Sequence, residues 1–159
     1  MESKITYYKT PIGIAKIIGS EEGIESISVL DNDIETSTDI SDCLKECVKQ
    51  LDEYFSGKRT NFNIKLNPKG TDFQKKVWKE LLTIPFKKTR TYLEQSKALG
   101  DIKAIRAVAS ANGKNPIWII IPCHRVIGSD GSLTGYAGGI WRKKWLLEHE
   151  GFLTQQSLF

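Results

Sequence analysis

TYLEQSKALGDIKAIRAVASANG, residues 91–113, reads as two helices joined by a tight turn. Thr91 and Glu94 have the spacing of a capping box, in which the hydroxyl accepts from the third helical amide and the carboxylate accepts from the cap amide. Gly100 stops the first helix, since a residue without Cβ enters the left-handed region at little steric cost; Asp101 can cap the second, and Gly113 ends it. Helix, glycine turn, helix is the outline of a helix-turn-helix, a shape that also occurs in proteins that never touch DNA. On a wheel at about 100° per residue, Ile102, Ile105, Val108 and Ala109 fall on one side of the second helix, with Lys103, Arg106, Ala107, Ser110 and Ala111 opposite. Small side chains on that outward face let a backbone approach a nucleic-acid groove, and Arg106 can reach a phosphate, a base edge or a vacated stacking position. An alanine-rich helix chosen for propensity, with a solvated arginine, has the same pattern.

Working outward, Thr71-Asp72-Phe73-Gln74 is another capping box, and Phe73, Val77, Trp78, Leu81 and Leu82 mark a helix ending near Pro85. Residues 60–70, TNFNIKLNPKG, read as a linker. Before it, the runs ITYYK, IAKII and IESISVL are separated by Pro11-Ile12-Gly13 and by Ser20 to Gly23, turn-rich breaks at hairpin spacing, so they form an antiparallel meander. Ile40, Leu44, Cys47, Val48, Leu51, Tyr54 and Phe55 then recur at helical period, with Ser41 as a possible N-cap and Gly57 placed to stop the helix. The fold class is therefore α+β. A three-stranded antiparallel sheet plus helix occupies residues 1–68, and a mostly helical, winged-helix-like domain with the helix-turn-helix occupies 69–159.

At 159 residues, 40% apolar and 26% charged, the chain has the composition of a globular protein, which excludes general disorder. Its longest apolar run, Ile117 to Pro122, is far short of the roughly 20 residues that span a bilayer, and the start MESKITYY lacks the pattern of a signal peptide. A soluble, cytoplasmic monomer without membrane contact is the expectation. Residues 1–68 carry 8 Lys and Arg against 12 Asp and Glu, and residues 69–159 carry 15 against 7, so the halves have net charges of −4 and +8. A basic half suits a polyanion partner or a solvated face. Three cysteines lack the spacing of a disulfide framework, which fits reduced thiols; Cys43 and Cys47, four apart, read as small core residues.

The chemistry-bearing segment follows Asn115-Pro116: an apolar run, Ile117 to Ile121, reads as a buried strand delivering Pro122-Cys123-His124-Arg125-Val126 to a loop. A thiolate is the nucleophile, and an imidazole within reach, directly or through one water, draws off the thiol proton. Adjacent side chains on extended backbone point oppositely, so a turn at Pro122, a bridging water, or both are needed to couple them. Glu148 and Glu150 are the downstream candidates to orient the imidazole, on a final helix whose Trp141, Trp145 and Leu146 would be buried. A carboxylate such as Glu150 in a last helical turn opposes the macrodipole, which a partner such as His124 can offset; an exposed helix end is the alternative.

The stretch Ile121-Pro122-Cys123-His124-Arg125-Val126-Ile127-Gly128 lies between Asn115-Pro116 and Gly135-Tyr136-Ala137-Gly138-Gly139, with Trp145 to Gly151 following. Together these resemble the methylated-DNA protein-cysteine methyltransferases, and the likeness runs from Gly70 to Gly151, through Gly70 to Trp78 and Thr91-Tyr92. By that resemblance Cys123 takes the alkyl group from O6-alkylguanine once, irreversibly, with O4-alkylthymine as a second candidate lesion. His124 acts through a water as base, Glu150 orients His124, and Asn115 ties the loop together. Tyr92 supplies a proton or hydrogen bond at O6 of the departing guanine. A base inside a duplex must be extruded first. Arg106 matches the finger that fills the vacated place, and Ala107, Ser110 and Ala111 match the face entering the minor groove. Cys123 and Val126 carbonyls and the Ala137 amide match the groups that read guanine, with Tyr136 on the wall; Arg125 is grouped with these substrate- and DNA-binding residues.

The chain departs from the family pattern in places. Trp118 stands where a smaller residue is usual near the pocket, so tolerance of bulky O6 substituents does not carry over, and Lys87-Lys88 replaces a more usual glycine-containing turn. Some members hold zinc in the first domain, but the first half here has no histidine and only Cys43 and Cys47, so neither metal nor cofactor is expected. Competing readings are an alkyltransferase-like lesion-binding module, which lacks the cysteine; a winged-helix regulator, which needs a further domain; and a thiol hydrolase, which turns over repeatedly.

Overall fold

A computed structural model describes residues 2–152 of the chain. They divide into two compact units, residues 2–69 with 116–118 and residues 70–115 with 119–152.

The first unit is built on the meander expected from the sequence. Strands β1 (Lys4–Thr10), β2 (Gly13–Ser20) and β3 (Gly23–Leu30) pair antiparallel in that order, with a register shift at Ile18/Gly19. At the first turn the Thr10 hydroxyl accepts from the Ile12 amide and donates to the Gly13 carbonyl, at 3.1 and 2.8 Å. Helix α1 (Asp42–Phe55) packs on the sheet, and its Leu44, Leu51 and Tyr54 join Ala15, Ile17 and Ile27 in the core. Ser41 sits at its N-cap, but its side chain makes no capping hydrogen bond. β3 gains a short neighbour: the Ile27 amide donates to the Pro116 carbonyl at 2.9 Å and the Trp118 amide to the Ile27 carbonyl at 3.0 Å.

The second unit holds helices α2 (Asp72–Leu81), α3 (Tyr92–Ala98), α4 (Ile105–Gly113) and α5 (Ile140–His149), with two two-residue parallel strands, β4 (Arg90–Thr91) and β5 (Val126–Ile127). Both capping boxes form, Thr71 with Gln74 and Thr91 with Glu94. Gly100 lies at φ +87°, and the Asp101 carboxylate accepts from the Lys103 amide at 3.0 Å, completing the helix-turn-helix. α2 and α3 both pack on α4, and the Trp78 indole donates to the Ala111 carbonyl at 2.8 Å.

Three expectations are corrected. The run Ile117–Ile121 is not a strand: one bridge at Ile117 is followed by a turn over Trp118–Ile120, with Ile119 at φ +76°. Apolarity marked burial there, not extension. On α4 the wheel is rotated, because Ile102–Ala104 forms a 3-10 turn, whose period is not that of an α-helix. Ile102 is 54% exposed and Ala109 exposed, whereas Ala111, expected on the outward face, is buried with Val108 and Asn112. On α5 the buried residues are Arg142, Lys143, Leu146 and Leu147; Trp141 is 53% exposed, and Trp145 stacks on His149.

Lys87 takes φ +69°, where an L-residue pays about 1–2 kcal/mol that glycine avoids, less glycine's own entropic cost of about 0.5–1 kcal/mol. Lys87→Gly is therefore expected to raise the unfolding free energy by up to about 1 kcal/mol, read as a higher urea midpoint at unchanged slope. A lower midpoint would mean that the lysine side chain itself supports the turn.

Candidate active site

The turn required at Pro122 is present. Pro122 has φ −85° and ψ 62°, and the Cys123 amide donates to the Ile121 carbonyl at 2.9 Å, an inverse γ-turn. Cys123–Arg125 then form a 3-10 turn, so Cys123 and His124 are not on extended backbone. Asn115 pins this segment from below, its Nδ2 donating to the Ile121 carbonyl at 2.8 Å and to Cys123 Sγ at 3.3 Å. The positive φ of the β-branched Ile119 is held within this buried, tied loop.

Glu150 is the C-cap of α5 and is only 2% exposed, so the exposed-helix-end alternative falls. Its Oε2 lies 2.7 Å from His124 Nε2, while Arg125 donates from Nε to Oε1 at 2.8 Å and from Nη2 to Oε2 at 3.1 Å. Arg125 Nη1 reaches the Ile84 carbonyl at 2.6 Å. Burial works against ionising Glu150, but His124 and the Arg125 guanidinium outweigh it and hold the carboxyl well below its usual range. Burial also pushes the His124 imidazole down, against the pull of Glu150, so it stays neutral. With the carboxylate accepting at Nε2, the neutral ring carries its proton there and leaves Nδ1 as a buried acceptor without a hydrogen-bond partner among the described residues.

A cavity of about 330 Å³ opens over Cys123, with Tyr92, Tyr136 and Ala137 in its lining. Burial raises the Cys123 thiol, with the Asn115 hydrogen bond and the Lys143 charge pulling it down, so its ionisation needs a base. Tyr92 donates to the Thr134 carbonyl at 2.9 Å, and burial pushes its phenol up, which keeps it a donor. Sequence reasoning missed Ala109, Asn112, Thr134 and Gly135 in this lining. The Asn112 amide is paired reciprocally with Gln95, at 2.7 and 2.8 Å, a buried polar match that an apolar wheel does not weigh.

Other expected site residues lie elsewhere. Arg106, Ala107 and Ser110 are exposed on α4, but Ala111 faces the interior beneath Trp78 and offers no surface to a groove. Arg125 is buried in its ion pair with Glu150, so it is not a DNA contact; the carboxylate claims the guanidinium. Val126 is fully buried in β5, and its amide donates to the Cys123 carbonyl, leaving only backbone groups as a means to touch a ligand. Trp118 is not among the residues lining the cavity.

The pair His124–Glu150 dictates an acid response. His124 is lowered from 6.5 by folding, so its contribution to stability is complete above that value and declines as pH falls below it; Glu150, lowered from 4.5, adds a further loss as pH falls below its unfolded value. Wild type is expected to lose urea stability between pH 7.5 and 5.5, and His124→Gln to lose distinctly less across the same interval. Equal losses would show that His124 does not bind its proton more weakly in the folded state.

Known proteins show the same arrangement of domains. Residues 4–68 match the ribonuclease-like domain of 6-O-methylguanine DNA methyltransferase, and residues 72–152 its DNA-binding domain. The methylated-DNA–protein-cysteine methyltransferase of Methanosarcina barkeri is 50% identical over 147 residues, covering 89% of this chain and 93% of its own. The Mycobacterium tuberculosis O6-methylguanine methyltransferase structure superposes with a TM-score of 0.85 at 42% identity, over 99% of both chains. A structure of the M. tuberculosis OGT in complex with DNA gives 0.82 at 46% identity, over 91% of this chain and 90% of that one. With both halves matched and half of 147 aligned residues shared with a curated relative, the chain belongs to the 6-O-methylguanine DNA methyltransferase family, DNA-repair enzymes that move an alkyl group from DNA to a protein cysteine.

Proposed function

We propose that this protein repairs O6-alkylguanine in double-stranded DNA by moving the alkyl group onto Cys123, once per molecule. The observation that carries the reading is the cavity over Cys123, backed by a buried line of His124, Glu150 and Arg125. In the step, Cys123 Sγ bonds to the alkyl carbon as the carbon–O6 bond breaks, and the electron pair leaves with the guanine. The thiol proton passes to His124 Nδ1, directly or through one water, while Glu150 steadies the imidazolium that results. Asn115 aims the sulfur, and Tyr92 donates to the departing guanine, which takes up a proton to become the normal base. The product is a thioether that thiol chemistry does not reverse, so the protein is consumed.

A purine paired in a duplex cannot enter this cavity, so the lesion is extruded from the helix. Arg106 is exposed and makes no ion pair among the described residues, and Ala107 and Ser110 flank it with little bulk. These features support α4 as the element entering the minor groove, with Arg106 filling the vacated place. Tyr136 and the Ala137 backbone wall the cavity against the extruded base, with the Cys123 and Val126 carbonyls as further readers. We assign recognition and transfer to residues 69–159, which also hold the chain's excess of basic groups, and a supporting role to 1–68. Three free thiols suit a reducing cytoplasm, and action as a monomer fits a stoichiometric reaction.

Cys123→Ala is expected to abolish transfer while leaving duplex affinity within about twofold, since the thiol lies in the cavity and not on the outer face of α4. Arg106→Ala is expected to slow repair of a duplex by about tenfold or more, and repair of a free modified base much less. Equal losses on both substrates would remove Arg106 from base extrusion, and transfer surviving in Cys123→Ala would make another residue the acceptor.

A further inference from the structure

Lys143, in the second unit on α5, is 0% exposed, yet lysine is seldom fully buried unless paired. Its Nζ donates to the Thr134 carbonyl at 2.8 Å and to the Gly135 carbonyl at 3.3 Å, both in the cavity wall. Among the described residues no carboxylate lies within ion-pair distance of it. The Tyr92 hydroxyl donates to the same Thr134 carbonyl at 2.9 Å, and the ammonium sits 5.7 Å from the centre of the Tyr92 ring. One buried cation therefore joins the two sides of the cavity. Cys123, Tyr92 and Tyr136 line the cavity whose Thr134 and Gly135 carbonyls it binds, the His124 imidazole feels its charge, and Arg142 is its chain neighbour. Tyr92 and Tyr136 are held protonated by burial, and Glu150 is already shared between His124 and Arg125. Cys123 is thus the one of these groups left to supply a negative charge opposite the ammonium, and it does so only during the reaction.

We propose that Lys143 is a positioning residue of the transfer: its ammonium ties the Thr134–Gly135 wall to Tyr92 and keeps a positive charge facing Cys123 as the thiol ionises. The inference rests on Cys123 being the acceptor. The electrostatics agree with it. Burial lowers Lys143 to about 8, with Cys123 pulling the other way, and the Lys143 charge in turn helps draw the thiol down against burial. Replacing the ammonium with an apolar chain of similar shape should therefore move thiol ionisation to higher pH. Loss of packing alone would slow the reaction by the same factor at every pH.

The test is the single-turnover rate on a duplex carrying O6-methylguanine, followed from pH 6 to 10 for wild type, Lys143→Met and Lys143→Arg. Lys143→Met is expected to be slower by about tenfold at pH 7, with the deficit shrinking to about threefold or less above pH 9, where wild-type Lys143 has itself lost its charge. Lys143→Arg keeps the charge and is expected to stay within about threefold of the wild-type rate at pH 7. A methionine variant with wild-type rates, or a profile parallel to wild type, would overturn the role. If the methionine variant does not fold, as judged by circular dichroism, NMR titration of the lysine Cε signals decides instead: Lys143 should titrate at lower pH in Cys123→Ser than in wild type, and an unchanged titration would overturn the proposal. A wild type that removes the methyl group from DNA without any change in mass at Cys123 would overturn the acceptor assignment and this inference with it, whereas parallel profiles on a protein whose Cys123 does become methylated overturn only the role of Lys143.

Discussion

A single buried carboxylate organises the second unit. Glu150 closes α5 at the end where the helix dipole is unfavourable to an anion, and it is almost wholly removed from water. It is tolerable there only because a guanidinium and an imidazole use both its oxygens. Arg125 grips it with two nitrogens and extends a third contact to the Ile84 carbonyl, so one arginine links the end of α5, the 3-10 turn of residues 123–125 and the chain beyond α2. Leaving such a charge without its partner typically costs about 3–5 kcal/mol. The same carboxylate fixes the His124 tautomer, which leaves Nδ1 as the open acceptor among the described residues. Stability and chemistry here depend on one arrangement.

That constraint separates two tasks. Inside, a buried thiol whose ionisation is resisted by its surroundings stays inert until a base and a substrate meet it. Outside, α4 offers a surface of small side chains with an exposed arginine. In the proposed repair a purine leaves its helix to pass from one to the other, so extrusion links the two.

Much of this was legible in the sequence where local chemistry decides the outcome. The capping boxes at Thr71 and Thr91, the turn at Gly100 and the alternation of β1 to β3 need only near neighbours, and each formed as expected. The PCHRV segment announced its thiol, and the geometric objection to adjacent side chains correctly demanded a turn at Pro122. Failures came where residues distant in sequence decide. Apolar character along Ile117–Ile121 reported burial but not the reversal at Ile119, which follows from the tie between Asn115 and Ile121. Arg125 was grouped with the substrate- and DNA-binding residues, and only the fold places Glu150 beside it. Lys143 lay hidden on a helix face whose tryptophans drew attention, since no periodicity distinguishes a lysine that will be buried from one that will be solvated.

The central claim, that Cys123 accepts the alkyl group once and keeps it, is tested most directly by the mass of the intact protein after mixing with a duplex containing one O6-methylguanine, followed by peptide mapping. A gain of one methylene, at one equivalent per protein, is expected on the peptide bearing Cys123. Retained tight binding to the lesion with no gain in mass, or a gain on Cys43 or Cys47, would contradict it.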